Sequence, residues 1–500
     1  MKLSVCVPGC CALLLVASLL SAQSVGLARK SQHAKELMAA GKFEEAIPIY
    51  RELVRAVPGN PGLITNLGLA LDMSGDMQDA TREYEAAFKL DPNYYPVLLL
   101  LGTAYLDLGQ PAKAIDPLER SLRVQPDNFD AQEELAEALL SLGRLDDAAH
   151  RFRELSQSNP NNAKVWYGLG LCYEGLAQRN FDLLARVSPG SAYWLDLVAE
   201  SRFETKQNYS AFYFYRQALA KMPLMHGVHA AIAEIYRDSG HSDWASVEEK
   251  KERDLPPPDC SAHKLECDFQ AGNFISIIDS PERTKDPEAS YWKTRAYNKL
   301  ALDAYLRLGQ LPASTETYEL EAKIESKRRH YAEAAKDWRE ALRLSPRDRY
   351  LQKQLGITLY QMGDLPGAQT LFQKLLAQEP HAADLNYFLG DTILKSQKPQ
   401  EAITYLENAV RYDPKLLPAE RSLGLAYLQV GRTQKAIPHL KNALPIDDDG
   451  SAHYQLGRAY QINGERSLAA TMFKQYQEIQ HAQKAGNNAV EKDVAITPPD

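Results

Sequence analysis

The sequence predicts an all-α protein: an α-solenoid of stacked helix hairpins, interrupted by two long-helix irregular modules. Three observations carry this. Gly68, Gly102 and Ala136 stand 34 residues apart, and the next step lands on Gly170. Around them Leu71, Tyr105, Leu139 and Tyr173 keep the same spacing, as do Ala80, Ala114 and Ala148, then Tyr84, Leu118 and Phe152, then Pro92, Pro126 and Pro160. The register returns on Gly356, Gly390, Gly424 and Gly457, with Ala368, Ala402, Ala436 and Ala469 twelve residues after each. A fixed period of this length, with small residues at fixed offsets, marks an array of two-helix units.

Each offset has a physical reason. Gly or Ala at the first offset, and Ala twelve residues later, let two antiparallel helices approach closely, while the large residues fill the space between pairs. Gly75, Gly109 and Gly143 fall between the helices, where the chain needs positive φ. Pro92, Pro126 and Pro160 end the second helix, and Asn93, Asp127 and Asn161 follow as turn or cap residues. One such hairpin cannot bury its apolar face alone, so the array is the folding unit.

Trp166-x2-Leu169-Gly170-x2-Tyr173 resembles the first-helix motif of the tetratricopeptide repeat at every specified position, and the resemblance runs through nearly all of the chain after its N-terminal segment. It implies a right-handed superhelix whose concave groove, lined by first helices, binds other proteins or peptides; no cofactor is expected, and an enzyme with an unrecognised site is the rival reading from another class. One version of the family clamps a C-terminal carboxylate with Lys and Asn at set first-helix positions. Those positions hold Thr65 and Leu69, Leu99 and Thr103, Glu133 and Glu137, Tyr167 and Leu171, or Lys353 and Ile357, so that clamp is not visible here. Carried over residue by residue, the concave positions give the N-terminal groove Asp72, Asp107, Glu133, Glu137 and Glu174. Leu69, Leu106, Leu140 and Tyr167 stand among these acids, with Lys164 at the edge. The C-terminal groove receives Lys353, Lys395, Arg421 and Arg458, with Tyr360, Tyr387, Leu425 and Tyr454, opposed by Asp384 and Asp391. The first groove is expected to prefer basic-apolar segments and the second acidic ones.

In chain order, residues 1–24 read as a secretory signal: Lys2, an apolar run through Leu20, then Ala22-Gln23-Ser24 as a small-x-small cleavage site. Together with the repeats this resembles an exported bacterial protein, periplasmic or extracellular. An uncleaved or lipidated envelope anchor is the alternative, and no later segment is apolar enough to span a membrane. An N-terminal array is expected over 29–258. Within it Ala177 replaces the inter-helix glycine, and apolar periodicity continues through Phe181, Leu184 and Val187, predicting one long helix over about 163–187. An irregular segment with a second long helix spans 259–313, where Leu300-Ala301-x3-Tyr305-x2-Leu308 repeats the pattern Leu176-Ala177-x3-Phe181-x2-Leu184. A C-terminal array over 314–482 follows, its last helix turning polar as an end cap does, and 483–500 are expected to be a disordered tail.

A net charge of −8 argues against a polyanion such as nucleic acid as partner. Six cysteines, three of them in the N-terminal segment, are too few for a disulfide scaffold. No phosphate loop, dinucleotide fingerprint, nucleophile elbow or paired-histidine zinc motif is present. Cys260-x2-His263-x3-Cys267 would put three ligands on one helical face, but buried helix-packing residues are the better reading. A disulfide there requires Cys260 to lie off the helix. Cys172 is expected to be an inert buried thiol, and His226, His229 and His241 to be surface or capping residues. Phe212, Tyr213, Phe214 and Tyr215 cannot all face inwards from one helix.

Overall fold

The computed structural model describes residues 25–281, 286–493 and 495–499, so the expected export signal over 1–24 lies outside the described residues. Those residues form twenty-six α-helices and no strand. The chain divides into two compact units, the first ending at Gly175 and the second beginning at Leu176.

The first unit holds α1 (residues 25–39), α2 (Phe43–Ala56), α3 (Pro61–Ser74), α4 (Met77–Leu90), α5 (Tyr95–Asp107), α6 (Pro111–Val124), α7 (Phe129–Ser141), α8 (Leu145–Ser158) and the start of α9 (Ala163–Val187). The small offsets work as sterics demand. A Cβ on Gly102 in α5 would lie 2.5 Å from Leu118 Cγ in α6, and Ala114 beside it is fully buried. Gly75 closes α3 with φ +96°, the left-handed turn that the pattern required. Asn93, Asp127 and Asn161 lie in turns, and after the last two the cap is the next residue, whereas Tyr94 after Asn93 makes no side-chain capping bond. Asn128 Oδ1 accepts from Ala131 N and Asn162 Oδ1 from Val165 N, because the capping oxygen must face the third amide of the helix.

The second unit continues α9 and adds α10 (Ala192–Glu204), α11 (Asn208–Lys221), α12 (Val228–Asp238), α13 (Ser242–Asp254), α14 (Lys264–Gln270), α15 (Phe274–Ile278) and α16 (Pro287–Gly309). It then runs through α17 (Thr315–Lys327), α18 (Tyr331–Leu344), α19 (Arg349–Met362), α20 (Leu365–Gln378), α21 (Ala383–Lys395), α22 (Pro399–Tyr412), α23 (Leu417–Gln429), α24 (Thr433–Ala443), α25 (Ser451–Ile462) and α26 (Arg466–Asp493). Both long helices are present as α9 and α16. Without a glycine at Ala177 to break it, α9 runs straight through, and Asp286 caps α16 by accepting from Glu288 N and Ala289 N. One apolar core gathers α10–α16 and another α17–α26. No helix of the described residues is long and apolar enough to cross a membrane.

Two expectations change. Cys260 and Cys267 are disulfide-bonded, their Cα atoms 5.7 Å apart. This is geometrically open because α14 starts only at Lys264: Asp259 accepts from Ser261 and His263, and the resulting turn holds Cys260 off the helix and exposed. Nor is the end of the chain structureless. Helix α26 extends to Asp493, and Ile496 packs against the core of α10–α16. A short apolar-proline segment carries no periodicity of its own, so its order comes from the surface it meets.

Candidate functional site

In the first unit the concave residues Leu69, Asp72, Leu106, Asp107, Glu133, Glu137, Tyr167 and Glu174 fall on α3, α5, α7 and α9. Leu69 and Leu106 are half-buried, Asp107 and Glu174 exposed, and Tyr167 buried. Several of the acids are engaged within the chain. Asp72 accepts from the Tyr84 hydroxyl at 3.3 Å, and Glu133 accepts from Asn162 Nδ2 at 2.6 Å. Lys164, expected at the edge, instead sets its ammonium among three carboxylates: Glu137 at 2.6 Å, Glu134 at 3.2 Å and Glu133 at 3.6 Å. Helix α9 enters directly after α8 and projects Lys164 across the face of α7. Burial pushes Glu134 up to about 7 although Lys164 opposes the shift. Burial works against the Lys164 charge, yet Glu137 and Glu134 carry its pKa above the usual lysine range.

In the second unit α19, α21, α23 and α25 line a cavity of about 240 Å³. Six of the expected residues, Tyr360, Tyr387, Asp391, Lys395, Arg421 and Leu425, converge on it; Lys353, Asp384, Tyr454 and Arg458 do not. Lys353 is paired with Asp384 at 3.1 Å, Tyr454 packs on Phe473 and Tyr476, and Arg458 is an exposed residue bonded to Gln455. At the centre sits Asp391, 7% exposed. Tyr360 donates to its Oδ2 at 2.5 Å and Ser422 to its Oδ1 at 2.6 Å, while Lys395 Nζ stands 3.9 Å from Oδ2 and 3.9 Å above the Tyr360 ring. Among the described residues, the half-buried Arg421 guanidinium makes no hydrogen bond or ion pair, and the Tyr387 hydroxyl has no hydrogen-bond partner. Burial, reinforced by Asp391 and opposed by Arg421, pushes Tyr387 up to about 12.

A second cavity in this unit, about 230 Å³, was not anticipated from the sequence. Asp196, Glu200, Glu204 and Glu234 line it from α10 and α12, and Arg295 enters from α16. Arg295 Nη1 donates to the Tyr291 hydroxyl at 2.6 Å, which donates to Asp196 Oδ2 at 2.7 Å; the guanidinium also lies over Phe269, Tyr291 and Trp292. Burial pushes Asp196 up to about 6 although Arg295 opposes the shift. The acids continue the concave first-helix positions, but nothing local to Arg295 announces a partner 99 residues earlier.

The remaining candidates carry no site. His226 pairs with Glu266 at 2.7 Å, His229 with Glu248 at 2.5 Å, and His241 stacks on Trp244. No group of His, Cys, Asp and Glu among the described residues could hold a metal. Cys172 is buried, and that burial, with Asp146 adding to it, pushes its thiol up to about 12, so it is inert. Phe212 and Tyr215 face the core, while Tyr213 is exposed.

A profile of the tetratricopeptide repeat matches residues 31–95, 99–149, 138–183, 353–416 and 393–451. The chain belongs to the tetratricopeptide-repeat family. As a tetratricopeptide-repeat chain it is similar to BBSome complex member BBS4 of Bos taurus, 31% identical over 175 residues, which are 33% of this chain and 33% of the relative. Protein FlbA of Caulobacter vibrioides is 31% identical over 128 residues, 25% of this chain and 22% of its own. The Hsp70-Hsp90 organizing protein of Triticum aestivum is 32% identical over 100 residues, 20% of this chain and 17% of its own. The chain thus spans a third or less of the length of these relatives. Among solved structures, MamA from Desulfovibrio magneticus RS-1 is 27% identical, with 34% of this chain and 96% of that chain covered at a TM-score of 0.31. The repeat profile and the tetratricopeptide-repeat relatives support a protein–protein interaction scaffold.

Proposed function

We propose that this scaffold is non-enzymatic, works outside the cytoplasm, and binds segments of other proteins in its concave grooves, the C-terminal groove taking acidic residues flanked by apolar ones. One observation carries the groove reading: Arg421 and Tyr387 face the α19–α25 cavity with their donors unengaged by described residues, while Asp391 beneath them is held by Tyr360 and Ser422. A guanidinium presents a planar fork that matches a carboxylate, and the tyrosine rings supply apolar contact. The preference of the first groove for basic segments rests on the exposed Glu174, because Lys164 engages Glu133 and Glu137 and Tyr84 donates to Asp72.

The test is titration of the full chain with acidic and basic peptides built on one apolar sequence. The acidic peptide should bind more tightly, salt should weaken it by screening the charges, and Arg421→Glu should lower its affinity roughly 10- to 100-fold. Equal binding of both peptides, or indifference to Arg421→Glu, removes the reading.

Export is supported by the apolar run before Ala22-Gln23-Ser24 and by the Cys260–Cys267 disulfide, since such bonds persist in oxidising compartments. N-terminal sequencing of the mature protein should begin near Val25; an intact Met1 on membrane-bound protein favours the anchored alternative.

A further inference from the structure

Beyond α26, residues 495–499 return to the other end of the second unit. Ile496 packs on the apolar core that includes Phe212, Ile232 and Tyr236, and the Thr497 carbonyl accepts the Tyr236 hydroxyl at 2.6 Å across 261 residues of sequence. Tyr236 is fully buried, and its ring is wedged between Phe212 and Trp244, so the direction of its hydroxyl is set by the fold.

The repeat register explains why the hydroxyl reaches for this segment. Tyr105 and Tyr427 occupy the same offset in their own repeats, three residues after Gly102 and Gly424 as Tyr236 is after Ala233. Each donates to a carboxylate 20 residues earlier on the preceding second helix, Glu85 on α4 and Glu407 on α22. In the α12 repeat that place holds Arg216 on α11, a side chain with donors and no acceptor. The Thr497 carbonyl serves the Tyr236 hydroxyl as those carboxylates serve Tyr105 and Tyr427.

The segment suits the role. Ile496 and Pro499 are partly buried while Ala495, Thr497 and Pro498 are exposed. A spacing of three along an extended chain is one turn of a polyproline II helix, so both apolar side chains fall on one face. Pro498 holds Thr497 extended, and the two prolines lower the entropy lost on docking.

We propose that the face of α11 and α12 around Tyr236 is a recognition site for an extended segment with an apolar residue three before a proline, and that residues 495–499 of the same chain are its resident ligand. The site is independent of the α19–α25 groove.

The experiment uses full-length chain carrying Ile496→Asp, which should undock the segment while leaving every residue of α11, α12 and α13 unaltered, and a labelled peptide of sequence Val494 to Asp500 as probe. The peptide should bind the Ile496→Asp chain saturably. It should bind the unaltered chain at least ~10-fold more weakly, because a tethered competitor acts at a local concentration of about millimolar. Adding Tyr236→Phe to the Ile496→Asp chain should cost roughly 2- to 10-fold in peptide affinity, the range for one neutral hydrogen bond. Amides of α12 should exchange faster in Ile496→Asp than in the unaltered chain. The proposal is overturned by equal binding to both chains, by no binding to Ile496→Asp up to millimolar peptide, or by unchanged α12 exchange. A dimer seen by light scattering that disappears with Ile496→Asp would place the segment of a second copy on the site and overturn the assignment to the same chain.

Discussion

The first-unit groove around Lys164 and the second-unit groove around Asp391 use the same repeat scaffold with opposite electrostatic solutions. In the first, a lone cation is held by Glu133, Glu134 and Glu137. In the second, a lone carboxylate is held by Tyr360 and Ser422, and the cations Lys395 and Arg421 remain on the cavity wall. Formal charge at a concave position is therefore a poor guide to available charge. What a partner meets is the excess left after the repeats have satisfied one another, and polar groups away from water must be satisfied.

The largest expected effect breaks the second arrangement. Asp391→Ala removes an acceptor shared by two hydroxyls and leaves Lys395 without its nearest anion, which should cost about 3 kcal/mol in urea unfolding. A loss below about 1 kcal/mol would mean that Asp391 does not organise the cavity. Lys164→Met is the counterpart in the first unit. Its side chain is 33% exposed, so screening reduces the effect, and about 2 kcal/mol is expected. Hydrogen exchange should quicken in α7 and early α9 and stay unchanged in α21–α23.

A pH series sharpens the contrast. The folded pKa of Glu134, about 7, lies above its ordinary value of 4.5 because burial disfavours the carboxylate. Its stabilising contribution is complete below about pH 4.5 and is lost as pH rises through about 7. Glu134→Gln should therefore raise stability at pH 8 by about 1 kcal/mol and change nothing at pH 4. Denaturation midpoints at the two pH values check this, and an equal gain at both would locate the effect elsewhere.

The smallest expected effect concerns the turns. The described hairpin turns of the first unit use glycine at positive φ, as at Gly109 with φ +66°. The second unit uses glycine at Gly240, Gly363, Gly431 and Gly464 but places Lys206, Arg329 and Gln397 at other turns with φ +60° to +62°. Gln397→Gly should stabilise by somewhat under ~1 kcal/mol, since left-handed backbone is strained for a residue with a Cβ. A melting temperature unchanged or lowered would show that Gln397 makes up the strain through its side chain.

How much was legible in advance follows the range of the interactions. Offsets such as Gly102 with Leu118, the turn at Gly75, and the unbroken stretch from Ala163 to Val187 depend on neighbours one helix away, and periodicity records them. Tyr360, Tyr387, Lys395 and Arg421 could be placed together because the repeat carries first-helix positions onto one face. The pairing of Lys164 with three glutamates was half visible: its position was clear, but the direction of a long flexible side chain was not.

The sequence by itself determined an array of helix hairpins, its two long interruptions and the groove positions, because small residues at a fixed period dictate which helices touch. Only the tertiary structure decided that Cys260 leaves the helix to reach Cys267, that Arg295 meets Asp196, that Asp391 is held while Arg421 is not, and that Ile496 and Thr497 come to rest at Tyr236. Each of these depends on how a particular turn or side chain is directed once the chain has folded. The free-energy differences involved are a few kcal/mol between partners distant in sequence, and no local pattern encodes them.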